Sequence, residues 1–109
     1  MNFNITIDQE PFTLEVADGI IQEAQEFIQD MDKDFDKGLQ LGRHWLDNPS
    51  DEQRCQIAIN KIVNAMHQEN IRMVYLMAAY ILSKFPDLKM VTFSSDYEVD
   101  EIDIELFEK

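Results

Sequence analysis

From Met73 to Leu82 the chain carries no charged residue, and this run limits what everything around it can become. It is too short for a membrane span, which needs roughly 18 uninterrupted apolar residues. Val74, Tyr75, Leu76, Met77, Ala78, Ala79, Ile81 and Leu82 leave a helix apolar most of the way round. Such a helix belongs at the centre of a core or in a subunit interface. A chain of 109 residues makes one domain with one core. The remaining segments must cover this helix, or a second copy must, in a homodimer.

The segments before it supply two more helices. Asn48-Pro49 separates them, and Ser50-Asp51-Glu52-Gln53 fits a capping box. The helix that follows presents Cys55, Ala58, Ile59, Ile62, Val63 and Met66 on one stripe. His67-Gln68-Glu69-Asn70 then makes a tight connection, and Pro86-Asp87 stops the third helix. Upstream, Asp18 or Gly19 opens a pattern in which Ile21, Ala24, Ile28, Met31, Phe35, Gly38, Gly42 and Trp45 step by three and four. This spacing predicts one long helix ending near Asn48. Its two later glycines cost about 1 kcal/mol each relative to alanine. A break between residues 32 and 37, giving two shorter helices, is the alternative.

The period changes to two at both ends. Phe3, Ile5 and Ile7 alternate with polar residues, as do Phe12, Leu14 and Val16, so residues 2–16 read as a β-hairpin. Met90 to Phe93 reads as a strand. Tyr97 to Leu106 alternates acidic and apolar residues, with a slip at Asp100-Glu101 that a β-bulge would absorb. A partly disordered acidic tail is the competing reading. The order ββαααββ, with a hairpin at 2–16, a helical region at 18–85 and C-terminal strands at 89–109, predicts a single α+β domain over residues 1–109. Three helices would pack on one face of a small, mostly antiparallel sheet.

Charge is concentrated at the ends. The net charge is −13. Residues 1–30 carry Asp8, Glu10, Glu15, Asp18, Glu23, Glu26 and Asp30 and no Lys or Arg, and seven further carboxylates fall in residues 95–109. A surface of this sign favours cationic partners and repels bare nucleic acid. The N-terminus has neither a basic n-region nor an apolar h-region, and Cys55 stands alone, so no signal peptide and no intrachain disulfide are expected. A cytoplasmic protein without a membrane anchor follows.

Few residues carry recognisable chemistry. Asp30, Asp32, Asp34 and Asp36 imitate the start of a calcium loop. Counted from Asp32, however, glycine falls at the seventh position and Arg43 at the twelfth, where the loop needs Gly at the sixth and Glu at the twelfth. In a helix, Asp32 and Asp36 share a face and become the candidate divalent-metal ligands; a solvated face is the plainer alternative. His44 and His67 show no metal-ligand spacing. Cys55, on an apolar stripe, reads as a buried and inert thiol. Gly38 and Gly42 make room for a crossing helix or the Trp45 ring, and a small-ligand notch beside Trp45 is possible. Met66, Met73, Met77 and Met90 read as core, with an adaptable binding groove as the alternative.

The acidic strand is the leading functional candidate. Alternate strand residues stand about 6.8 Å apart, so Glu101, Asp103 and Glu105 would form a row that Asp8, Glu10 and Glu15 extend. Tyr97 and Phe107 supply apolar margins. The expected function is a small non-catalytic interaction protein, without cofactor, whose negative face binds a basic protein partner. An adaptor, antitoxin, immunity protein, chaperone or nucleic-acid mimic fits that description. The alternative is a small-ligand or divalent-metal domain centred on residues 32–42.

Overall fold

The computed structural model describes residues 1–41 and 43–107, so Gly42, Glu108 and Lys109 lie outside the described residues. The chain is an α+β domain with the expected order of strands, helices and strands. Strand β1 (Asn2–Ile7) pairs antiparallel with β2 (Glu10–Glu15), Phe3 opposite Leu14 and Ile5 opposite Phe12. The connecting loop is only Asp8 and Gln9, with φ of 50° and 72°. Positive φ at both positions is the pattern of a type I′ turn, which suits the strand twist but usually draws Asn and Gly. Asp8 is held there from outside the hairpin: its carboxylate accepts from the Ser95 amide at 2.7 Å and the Ser95 hydroxyl at 2.6 Å.

The single long helix does not form. Helix α1 (Asp18–Glu23) breaks at Ala24, and α2 (Gln25–Asp36) ends before the glycines. A short hairpin follows instead of a second helix, β3 (Leu39–Leu41) against β4 (His44–Leu46). Gly38 explains the change. Its φ is +95°, which a helix cannot accept, and a Cβ there would stand 2.7 Å from Trp45 Cζ2 and 2.9 Å from the Leu46 carbonyl oxygen. The glycine does make room for the Trp45 ring, but across a turn rather than along a helix.

Helix α3 (Asp51–His67) opens on the expected capping box. The Gln53 amide donates to Ser50 Oγ at 3.2 Å, and the Ser50 amide donates to Gln53 Oε1 at 2.8 Å. It closes with the Asn70 amide donating to the Ala65 carbonyl at 2.8 Å and the Glu69 amide to the Met66 carbonyl at 3.1 Å. Glu69, at φ 57°, occupies the left-handed position of a Schellman motif, where glycine is commonest. Asn70 then caps α4 (Ile71–Lys84). Val74 and every residue from Met77 to Leu82 are buried within the chain's own core. The apolar surface that suggested a homodimer is thus largely covered by α1, α3 and the sheet.

Strand β5 (Leu88–Phe93) enters beside β1 in parallel, Ile5 opposite Val91, and β6 (Asp103–Leu106) runs antiparallel to β5. The strand order is β2-β1-β5-β6, with β2 and β6 as edges. Phe3, Ile5 and Val91 point into the helices and are fully buried. By the alternation of the pleat, Asn4, Thr6, Thr13 and Thr92 point away from them. The bulge expected at Asp100-Glu101 is a 3₁₀ turn, Val99–Glu101, and the register irregularity lies on β5 between Leu88 and Met90. Among the described residues, no helix is long and apolar enough to cross a membrane.

Candidate interaction surface

The acidic C-terminal arm is anchored by its backbone and its few apolar side chains. Gln56, buried on α3, donates from Nε2 to the carbonyl oxygens of Asp100 at 3.2 Å and Ile102 at 3.0 Å. Ile102 is itself buried in the core. The Glu98 amide donates to Glu101 Oε1 at 3.1 Å, closing a reciprocal cap on the 3₁₀ turn. With the main chain tied inward, Asp96, Glu98, Asp100, Glu101, Asp103 and Glu105 are left exposed. Glu105 pairs with Lys89 at 3.3 Å across the ladder. Both partners are about half exposed, so the pair contributes only about 0–1 kcal/mol.

The structure joins some of the expected residues and separates others. Asp103 and Glu105 project together from β6, opposite Thr92 and Met90. Glu101 does not continue that row on a strand, because the adjacent pair Asp100-Glu101 wraps into the turn. Asp8 joins the arm through Ser95. The hydroxyl of Ser95, and next its amide, hold the Asp8 carboxyl below the usual carboxylate range. Asp8, Asp96 and Tyr97 border a shallow cleft of about 320 Å³ at that end of the sheet. Glu10 and Glu15 lie on the opposite edge strand, three strand spacings or about 14 Å from β6. They also point to opposite sides: Glu10 pairs with Ile7 on the helical side, Glu15 with Asn2 on the open side. Tyr97 and Phe107, 38% and 58% exposed, stand at opposite ends of the β5–β6 ladder, about 20 Å apart for six residues of strand. The Phe107 amide donates to the Asp87 carbonyl at 2.9 Å, which fixes the end of the arm.

Asp32 and Asp36 do share a helix face, and there they meet cations of the chain. Arg54, with a side chain 9% exposed, donates to Asp32 Oδ1 at 3.1 Å and Asp36 Oδ1 at 2.8 Å, and also to Asn48 and the Pro49 carbonyl. Tyr80 donates to Asp32 Oδ1 at 2.7 Å, and Lys84 to Oδ2. Burial pushes the Asp32 carboxyl up, but the bonds from Lys84, Tyr80 and Arg54 together outweigh it and leave it below the usual range. The Arg54 guanidinium also lies 5.7 Å from the centre of the Phe35 ring. These contacts fasten the C-terminal half of α2 to α3 and α4. Asp34 points away, beside Lys37 in the solvent.

Arg54, like Gln56, is a residue whose role the sequence did not announce. The available signal was its place one turn before Ala58 on the apolar stripe of α3, where a cation needs a buried anion, together with the paired Asp32 and Asp36 one helix earlier. Trp45 is 62% exposed, with Nε1 donating to Asp47 at 2.9 Å. Arg43 and His44 border a shallow cleft with Glu98 and Asp100. Burial, aided by Asp51, pushes the Cys55 thiol up to about 12, the behaviour of an inert thiol. Among the described residues, no three His, Cys, Asp or Glu side chains gather as a metal site. No family model, no curated protein and no solved structure matches the chain.

Proposed function

We propose that this chain is a small acidic binding protein, without catalytic activity, that docks a basic protein partner on its C-terminal arm. The observation that carries the reading is the way the arm is held. Gln56 and Ile102 fix its main chain while its carboxylates stay in solvent, so the charge is presented as a positioned array. A fixed array of one sign steers a cationic protein at long range and sets its orientation. Tyr97 and Phe107, one at each end of the ladder, offer apolar contact once the partner has arrived. Bare nucleic acid is repelled by the same field.

The test is affinity capture of the tagged chain from extract of its native cells, at low and high salt, read by mass spectrometry. One stoichiometric basic protein that is lost at high salt supports the proposal. No specific partner at either salt removes it.

A further inference from the structure

We infer that the groove beside edge strand β2 receives an extended, basic segment of the partner, added to the sheet as a fifth strand. This rests on the reading that the partner is basic, and adds a second contact at the sheet edge opposite the arm. Two adjoining hollows, of about 590 and 300 Å³, meet at Met66. They run between β2 and the α3–α4 connection, floored by Phe12, Leu14, Met66, Val74 and Tyr75. All but Val74 are only half-buried, and Ile71, at the same mouth, is 68% exposed. Asp8, Glu10 and Glu69 stand on the rim with His67, and among the described residues no Lys or Arg lines either hollow. An apolar floor with an acidic rim fits a segment in which apolar and basic residues alternate.

The backbone of β2 favours an extended occupant over a helix. Met1 and Val16 exchange both main-chain hydrogen bonds at 2.8 Å. Counting by twos from that pair, Leu14, Phe12 and Glu10 turn their amides toward β1, while Pro11, Thr13 and Glu15 turn theirs outward. Pro11 has no amide to offer, so pairing stops there. Thr13 and Glu15 remain as a two-residue-spaced set of donors and acceptors, the requirement for strand addition. Every second side chain of the added strand would then enter the groove.

The experiment uses the full chain, ¹⁵N-labelled, titrated with an acetylated and amidated nonapeptide alternating Lys and Val; a second peptide carries Glu for Lys. Saturable amide shifts at Thr13, Glu15, Met66 and Tyr75 with the Lys peptide, and none with the Glu peptide, are expected. Thr13→Pro repeats the chemistry of Pro11 at the next outward position, so it removes an outward donor without breaking the β1–β2 ladder. It should weaken binding about ten-fold. Met66→Lys, which charges the groove floor, should weaken it at least as much and serves if Thr13→Pro does not fold. No saturable shift up to about 2 mM peptide, equal shifts with both peptides, or indifference to the variants overturns the inference. If the peptide fails while a basic protein is still captured through the C-terminal arm, the groove is refuted and the binding reading stands.

Discussion

Replacing Arg54 with methionine isolates the contribution of the Asp32–Arg54–Lys84 network. Methionine fills much of the arginine stem, so packing is largely kept and the guanidinium contacts are what is lost. The buried Pro49 carbonyl loses its donor at 2.9 Å, which costs about 1–3 kcal/mol for an unsatisfied group. Asp32 loses one of three side-chain donors but keeps Tyr80 and Lys84, so this loss is about 1 kcal/mol, well short of the cost of an abandoned buried charge. Asp36, 64% exposed, returns to water at about 0–1 kcal/mol. The expected destabilisation is about 3 kcal/mol. With a urea slope of about 1.5 kcal/mol per molar, the midpoint falls by about 2 M, read by far-UV circular dichroism because Trp45 is too exposed to report on the core. The pH dependence follows from the same contacts. A carboxyl held below its ordinary value in the folded state adds stability that is fully present above that ordinary value, near 4, and is lost progressively as pH falls from there through the lower folded value. The variant should therefore lose less stability than the wild type between about pH 5 and pH 3. A midpoint shift under about 0.3 M with an unchanged acid profile would refute the idea that this network fastens α2.

Three further outcomes follow from local geometry. Gly38→Ala places a Cβ against Trp45 and Leu46 at a φ of +95°, and should cost at least about 2 kcal/mol in the same urea assay while shifting the Trp45 emission. Glu69→Gly relieves a left-handed residue and removes a negative charge from the C-terminal end of α3. It should stabilise by about 0.5–1 kcal/mol, read as a higher melting temperature. Cys55, fully buried with its thiol pushed up to about 12, should react with a disulfide reagent at pH 8 only as fast as the chain opens. Reaction at the rate of a free thiol would refute that burial.

The elements that sequence made legible are those whose signal is local. The Ser50-Gln53 box, the uncharged stretch of α4 and the alternation of β1 and β2 each contain their own cause. The failures arose where distant groups decide. Ile21 to Phe35 keep a helical step that continues, by spacing alone, through Gly38 to Trp45, and only the Trp45 ring packed on Gly38 shows that the chain has turned. The strand order is invisible for a similar reason: alternation says that Glu15 and Glu105 lie on strands, but not that β1 and β5 stand between them. The acidic residues of the arm were visible as candidates, whereas the Gln56 side chain that holds the arm's carbonyls gave no sequence signal. Asp32 and Asp36 were seen as a pair on one face. Their partner Arg54 lies on another helix, so spacing alone offers a solvated face or a metal site and not the internal ion pairs that form.

The most direct test is the affinity of the captured partner for wild-type protein and for the Glu101→Gln, Asp103→Asn, Glu105→Gln variant, measured at about 50 mM and about 500 mM salt, where screening lengths differ roughly three-fold. Wild-type binding should fall steeply with salt, the variant should bind at least ten-fold more weakly at low salt, and the two should converge at high salt. Equal affinities at both salts, for a partner that binds, would contradict a docking surface built from the charge of the arm.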